Sequence, residues 1–285
     1  MNMPLDKVLC GDALKVLRTL PERSVHLAIT SPPYNAGMDY DTYDDDRPLD
    51  VFLSHLRAVF TETWRVLVRG GRLAVNAPNA VKNRRSKSIH YLSPRIALIL
   101  EDVGFLPREW ITWHKGRSAN HFQGNNTAWG SWQSPANNCL RPLSEAIIVV
   151  CKEDYRLPGD PAAIDLTSDE FKEWTKNIWY IPNTASKKDH PAPFPLELPE
   201  RLIKLYSYRG NVVLDMFNGT GSTTTAACLL GRHFIGIDVS PAYCAMARRA
   251  LKKAQSLHPL SLPDSESSSS ATRPESSDPA GIGTT

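Results

Sequence analysis

The chain has 285 residues, 41% of them hydrophobic, and a formal charge of +3, which is enough apolar material for one substantial core with insertions. No apolar run approaches the ~20 residues a bilayer crossing needs, and no basic stretch followed by a hydrophobic one opens the chain, so we expect no membrane contact and a cytoplasmic location. Of 33 basic and 30 acidic residues only one and four fall from Ser256 onward, leaving residues 1–255 at net +6, a modestly basic body that suits a polyanionic partner.

In chain order, Lys7–Cys10 and Val25–Thr30 read as strands around a helix over Ala13–Leu20. Asp50–Val68 has near-helical apolar spacing, Gly70-Gly71 is expected to end that helix, and Arg72–Ala77 reads as a third strand. A helix over Ser93–Val103 is followed by strands at Glu109–His114 and Ala146–Cys151. The carboxyl half alternates again: helix Glu197–Ser207, strand Val212–Asp215, helix Ser222–Leu230, strand Phe234–Asp238 and helix Pro241–Ala254. Seven strands alternating with helices predict an α/β sheet buried on both faces. Two polar intervals, 116–143 and 153–189, are long for simple connections and look like inserted recognition elements. Residues 1–255 are thus one domain, while 256–285, dominated by Ser, Pro, Thr and acids, has too little apolar surface to order itself.

Two segments carry chemistry. Val212–Asp215 runs into Met216-Phe217-Asn218-Gly219-Thr220-Gly221 directly before a helix, where glycines let the backbone turn sharply and a ligand approach closely. Thr224 stands where a dinucleotide site has its third glycine, and no Lys-Ser/Thr follows, so a nucleoside is favoured over a pyrophosphate. About twenty residues on, a strand ends in Asp238, placed to accept from ribose hydroxyls.

The strand Val25–Ile29 ends in Thr30-Ser31-Pro32-Pro33-Tyr34 at the carboxyl edge of the sheet. The two prolines fix φ and remove two donors, leaving carbonyl acceptors aimed into a cleft. An aromatic amine is a poor nucleophile because its lone pair is delocalised. Acceptors at the Ser31 side chain and the Pro32 carbonyl would favour a pyramidal nitrogen with a localised lone pair, while Tyr34 stacks on the ring.

With both segments in view, the chain resembles the DNA amino-methyltransferases, over most of residues 5–252, through their Asp/Asn/Ser-Pro-Pro-aromatic and Phe-x-Gly-x-Gly motifs. The catalytic motif precedes the cofactor motif, as in the β group of that family. The resemblance implies a Rossmann-like, seven-stranded, mainly parallel sheet with a reversed last strand. It also implies S-adenosylmethionine as cofactor, without a metal. The permuted order would place the carboxyl-half cofactor strand beside the amino-half catalytic strand. Cys10-Gly11-Asp12-Ala13-Leu14 is similar to the segment whose carboxylate approaches the cofactor adenine. His190–Pro195 followed by Leu198-Pro199 resembles the segment that holds the methionine part. By that resemblance Asp12, Thr30, Pro193, Phe194, Asp215, Phe217, Gly219, Gly221 and Asp238 are the candidate cofactor residues, and Ser31, Pro32, Pro33 and Tyr34 the catalytic ones. Trp113-His114-Lys115 and Ala128–Trp132 also look familiar from this group. Met216, where many members carry Pro, and Asn218 depart from the commonest motif.

Ser31 leans toward cytosine N4, because adenine-N6 enzymes more often carry Asp or Asn there; adenine N6 is the alternative. Methylation at cytosine C5 is disfavoured, since none of Cys10, Cys139, Cys151, Cys228 and Cys244 follows a proline. Their scatter without a close pair also argues for reduced thiols. The partner expected is double-stranded DNA, from which the base must be flipped. Lys82, Arg84, Arg85 and Lys87 form a dense basic run, suited to phosphates. Tyr40, Tyr43, Trp129 and Trp132 are candidates for stacking, and 153–189, assisted by 116–143, is expected to read the sequence. A methyltransferase acting on RNA or on protein amide nitrogen, and a non-catalytic DNA-binding module, are the rival readings. A homodimer and a companion restriction endonuclease are both left open.

Overall fold

The computed structural model describes residues 3–38, 42–116, 129–131, 133–140, 142–183 and 195–257. The amino-terminal half contains β1 (Lys7–Cys10), α1 (Ala13–Leu17), β2 (Val25–Thr30), α2 (Leu49–Val66) and β3 (Leu67–Ala77). It continues through β4 (Ala80–Lys82), β5 (Ile89–Tyr91), α3 (Ser93–Val103) and β6 (Phe105–His114). Short strands β7 (Trp129–Gly130) and β8 (Asn138–Cys139) precede β9 (Ser144–Lys152), α4 (Ser168–Trp174) and β10 (Ile178–Tyr180). The carboxyl half adds α5 (Glu197–Tyr206), β11 (Val212–Asp215), α6 (Ser222–Leu229), β12 (His233–Asp238) and α7 (Pro241–Leu257).

Eight strands form one sheet in the order β1-β12-β11-β2-β3-β9-β6-β10. All neighbours are parallel except at β9, which runs antiparallel to both β3 and β6. The sheet is Rossmann-like and mainly parallel, with its reversed strand inserted between two forward ones. Strand alternation sorts the core into two layers. Leu214, Ile235 and Ile237 face α1, α2 and α3 on one side, while Val213 and Phe234 face α5, α6 and α7 on the other.

Three expectations are corrected. The sheet has eight strands rather than seven, because Ile178–Tyr180, inside the interval assigned to recognition, pairs with Thr112–His114 at the edge. Trp179 and Ile181 are buried there in the second core layer, so part of 153–189 is scaffold. The helix α2 ends at Val66 rather than at Gly70-Gly71: Leu67 is already extended and pairs with Val25. What stops it is tertiary. The Lys152 ammonium, over the Trp64 ring at 4.2 Å, donates to the carbonyls of Arg65 at 3.2 Å and Leu67 at 2.8 Å, satisfying acceptors a helix end leaves open. Gly70 and Gly71 instead form an irregularity within β3, between the pairs Val25/Leu67 and Leu27/Arg72. Finally, α7 runs to Leu257, past the expected boundary at 255, and residues from 258 lie outside the described residues. Among the described residues no helix is long and apolar enough to cross a membrane.

Candidate active site

β2 and β11 are parallel neighbours, Val213 opposite Leu27 and Leu214 opposite Ala28, so the two motifs leave the same sheet edge side by side. Their ends are pinned together. Thr30 Oγ1 donates to Asp215 Oδ1 at 2.8 Å, and the Phe217 N–H donates to the same oxygen at 3.0 Å. Burial raises the Asp215 carboxyl to about 6, against these hydrogen bonds, which favour its charged form.

The turn after β11 is tied in the same way to β12. The Gly219 N–H donates to Asp238 Oδ2 at 2.8 Å and the Ser240 N–H to Asp238 Oδ1 at 2.9 Å, and burial pushes this carboxyl up as well. Gly219 and Gly221 take φ of +50° and +91°, values that favour glycine. A Cβ on Gly221 would stand 2.9 Å from that of Ala247, so the second glycine serves the packing of α6 on α7. Asn218, unassigned from sequence, lies against Gly236, where a Cβ would meet its Cγ at 2.7 Å. Its Oδ1 accepts from Thr224 Oγ1 at 3.1 Å, while its buried Nδ2 has no protein partner.

One cleft of about 220 Å³ gathers these elements, lined by Asp12, Ser31–Tyr34, Met216–Thr220 and Asp238–Ser240. Asp12 reaches it as the cap of α1, accepting from the Lys15 N–H at 2.9 Å. The residues suit a nucleoside with a polar tail: glycines at the turn, a carboxylate at the end of the next strand, and an orphaned amide donor in the wall.

A polar chain leads inward from the other wall. Ser31 Oγ lies 2.8 Å from Tyr34 Oη, and Asn76 Nδ2 donates to Tyr34 Oη at 3.1 Å and to Glu145 Oε2 at 2.8 Å. Tyr34 Oη also donates to Glu145 Oε2 at 3.3 Å, and Glu145 is ion-paired with Lys115. The main-chain register explains the convergence. Asn76 on β3 pairs with Ile147, and Trp113 on β6 pairs with Glu145, which brings three strand ends to the motif.

Of the candidate residues, Ser31, Pro32, Pro33, Tyr34, Asp12, Phe217, Gly219 and Asp238 line the cleft. Thr30, Asp215 and Gly221 lie behind it, shaping the turn. Pro193, Phe194, Tyr40 and Trp132 lie outside the described residues. Tyr43 does line the cleft, 4.5 Å beneath the Arg47 guanidinium. Lys82, Arg84, Arg85 and Lys87 fall on the hairpin of β4 and β5, with Arg85 paired to Asp44. Sequence reasoning missed Arg47 and His55 in the cleft wall, and Asn76 and Glu145 behind the motif. Only Lys115, within the familiar Trp113-His114-Lys115, hinted at the last pair.

A family model described as DNA methylase matches residues 25–249. The type II methyltransferase M.MjaI of Methanocaldococcus jannaschii is 30% identical over 272 residues, covering 82% of this chain and 86% of its own. The DNA adenine methyltransferase YhdJ of Escherichia coli is 28% identical, covering 86% of this chain and 82% of its own. A structure of a protein described as a DNA modification methylase, from Thermus thermophilus and complexed with S-adenosyl-L-methionine, superposes with a TM-score of 0.68 at 32% identity. That match covers 87% of this chain and 93% of the other. Both motifs of the cleft fall in the matched span, and the chain belongs to the DNA methylase family of S-adenosylmethionine-dependent methyltransferases.

Proposed function

We propose that this methyltransferase modifies the exocyclic N4 amino group of cytosine in duplex DNA, by base flipping and direct transfer. The observation that carries the proposal is Ser31 Oγ, at the cleft wall and 2.8 Å from Tyr34 Oη, backed by Asn76 and Glu145. S-adenosylmethionine, when bound, supplies an electrophilic methyl group on a sulfonium. Among the residues lining the cleft, Asp238 is assigned to its ribose, Asp12 to its adenine, and Phe217 and Gly219 to the turn beneath it, with Pro193 and Phe194 assigned by resemblance to the methionine part.

Ser31 Oγ and the Pro32 carbonyl accept the two amine hydrogens, concentrating the nitrogen lone pair toward the methyl. Transfer would exchange the methyl–sulfur bond of the sulfonium for a new N–C bond, with neutral S-adenosylhomocysteine as the leaving group, and one N–H proton must then leave the nitrogen. The hydroxyls of Ser31 and Tyr34 lead it to the Glu145 carboxylate, whose charge Lys115 balances and Asn76 orients. Ser is shorter than Asp or Asn and carries no charge of its own, so the negative charge is supplied from Glu145. Flipping costs a few kcal/mol, and residues 116–143 with the exposed part of 153–189 are assigned to reading the sequence. Adenine N6 is the second reading, favoured by the name of the Escherichia coli relative.

Label from methyl-tritiated S-adenosylmethionine should enter duplex DNA and not RNA or protein. Label in RNA or protein alone would contradict the proposal.

A further inference from the structure

Strands β4 and β5 form a hairpin outside the main sheet, with Ala80 opposite Tyr91, Val81 opposite His90 and Lys82 opposite Ile89. The pleat sorts its side chains. Val81 and His90 face inward, 5% and 7% exposed, whereas Ile89 and Tyr91 on the other face are 64% and 68% exposed. An isoleucine and a tyrosine therefore stand in solvent beside Lys82, with exposed Arg84 and Lys87 in the adjoining turn.

The inner side is bonded to the catalytic segment. Asn83, 2% exposed, donates from Nδ2 to the Asn35 carbonyl at 3.0 Å and to Asp46 Oδ1 at 2.8 Å. The Arg84 N–H donates to the Ala36 carbonyl at 2.8 Å, and the His90 ring bonds to the Tyr34 backbone. The segment they hold is itself braced, since Asp45 accepts the N–H groups of Asn35, Ala36 and Met38.

We propose that the outward face of this hairpin docks on the duplex substrate, with Ile89 and Tyr91 against base edges or sugars beside the target. Lys82, Arg84 and Lys87 lie against phosphates, and Asn83 and His90 keep the whole face in register with Ser31–Tyr34. Apolar side chains framed by cations match a duplex, whose phosphates flank an apolar stacked interior. A second copy of this chain is the poorer occupant, because a two-fold contact would bring these same cations together. The proposal rests on DNA methyltransferase activity and not on the choice of base.

The test is steady-state methylation of a duplex by Tyr91→Ala combined with Ile89→Ser, followed across salt. KM for the duplex should rise about tenfold, equivalent to ~1.4 kcal/mol, with an unchanged salt slope, thermal midpoint and S-adenosylhomocysteine affinity. Tyr91→Phe should keep the parent KM. Lys82→Ala and Lys87→Ala should each lower the salt slope by about one. Asn83→Ala should lower kcat more than it raises KM. A parent KM in the double variant would overturn the docking face, and so would a change of oligomeric state with KM unaltered. The reverse kcat-to-KM split at Asn83 would overturn the coupling.

Discussion

Ser31 and Asp215 do different work at the ends of adjacent strands. Ser31 touches the cleft, so Ser31→Ala should lower kcat about a hundredfold or more while calorimetry finds S-adenosylhomocysteine bound as tightly as by the parent. Unchanged turnover would remove Ser31 from the chemistry. Asp215, 1% exposed, holds the strand ends, and its carboxyl sits at about 6 against an ordinary 3.8 because burial disfavours its charge. The folded chain keeps a proton there that the unfolded chain has released. Its contribution to stability is therefore full below 3.8 and falls as pH rises toward about 6, by about 3 kcal/mol in all. Urea unfolding through that window should show Asp215→Asn lacking this part of the slope, and a profile parallel to the parent would contradict it. Ser31–Tyr34, Gly219 and Asp238 were legible because each lies in a contiguous motif. Asn76 and Glu145 were not, because only the pairing of β3, β9 and β6 brings them to Tyr34.

Strands and helices with strong apolar patterns, such as Val25–Thr30 and Ser93–Val103, were read from sequence with the bounds the fold has. Two features escaped because long-range contacts make them. β10 is three residues long in a polar interval, and its assignment depends on Trp113 lying beside Trp179. Gly70 looked like a helix stop, yet it serves a close approach: at φ of +72°, its Cβ would stand 2.0 Å from the Arg156 carbonyl oxygen. Gly70→Ala should cost about 2–4 kcal/mol of unfolding free energy by denaturant titration, and a loss under about 0.5 kcal/mol, the range of ordinary surface changes, would show the contact to be dispensable. Gly236→Ala acts elsewhere, pressing on Asn218 in the cleft wall. Its expected signature is S-adenosylhomocysteine affinity weakened about tenfold, or ~1.4 kcal/mol, and parent affinity would show that Asn218 takes no part in the ligand site.

The chain meets itself at the cleft: Asp12 and Ser31 come from its first forty residues, Gly219 and Asp238 from the last seventy. The permuted motif order predicted this meeting, and the parallel pairing of β2 with β11 produces it. One of the basic clusters of residues 1–255 falls on the hairpin of β4 and β5, bonded to the catalytic segment beside that cleft. Family membership leaves two target bases, cytosine N4 as proposed above from Ser31 and adenine N6 as the alternative. Duplex DNA methylated by the enzyme, digested to nucleosides and resolved by mass spectrometry, distinguishes them most directly. The account predicts N4-methylcytosine with no N6-methyladenine; N6-methyladenine with no N4-methylcytosine would contradict it.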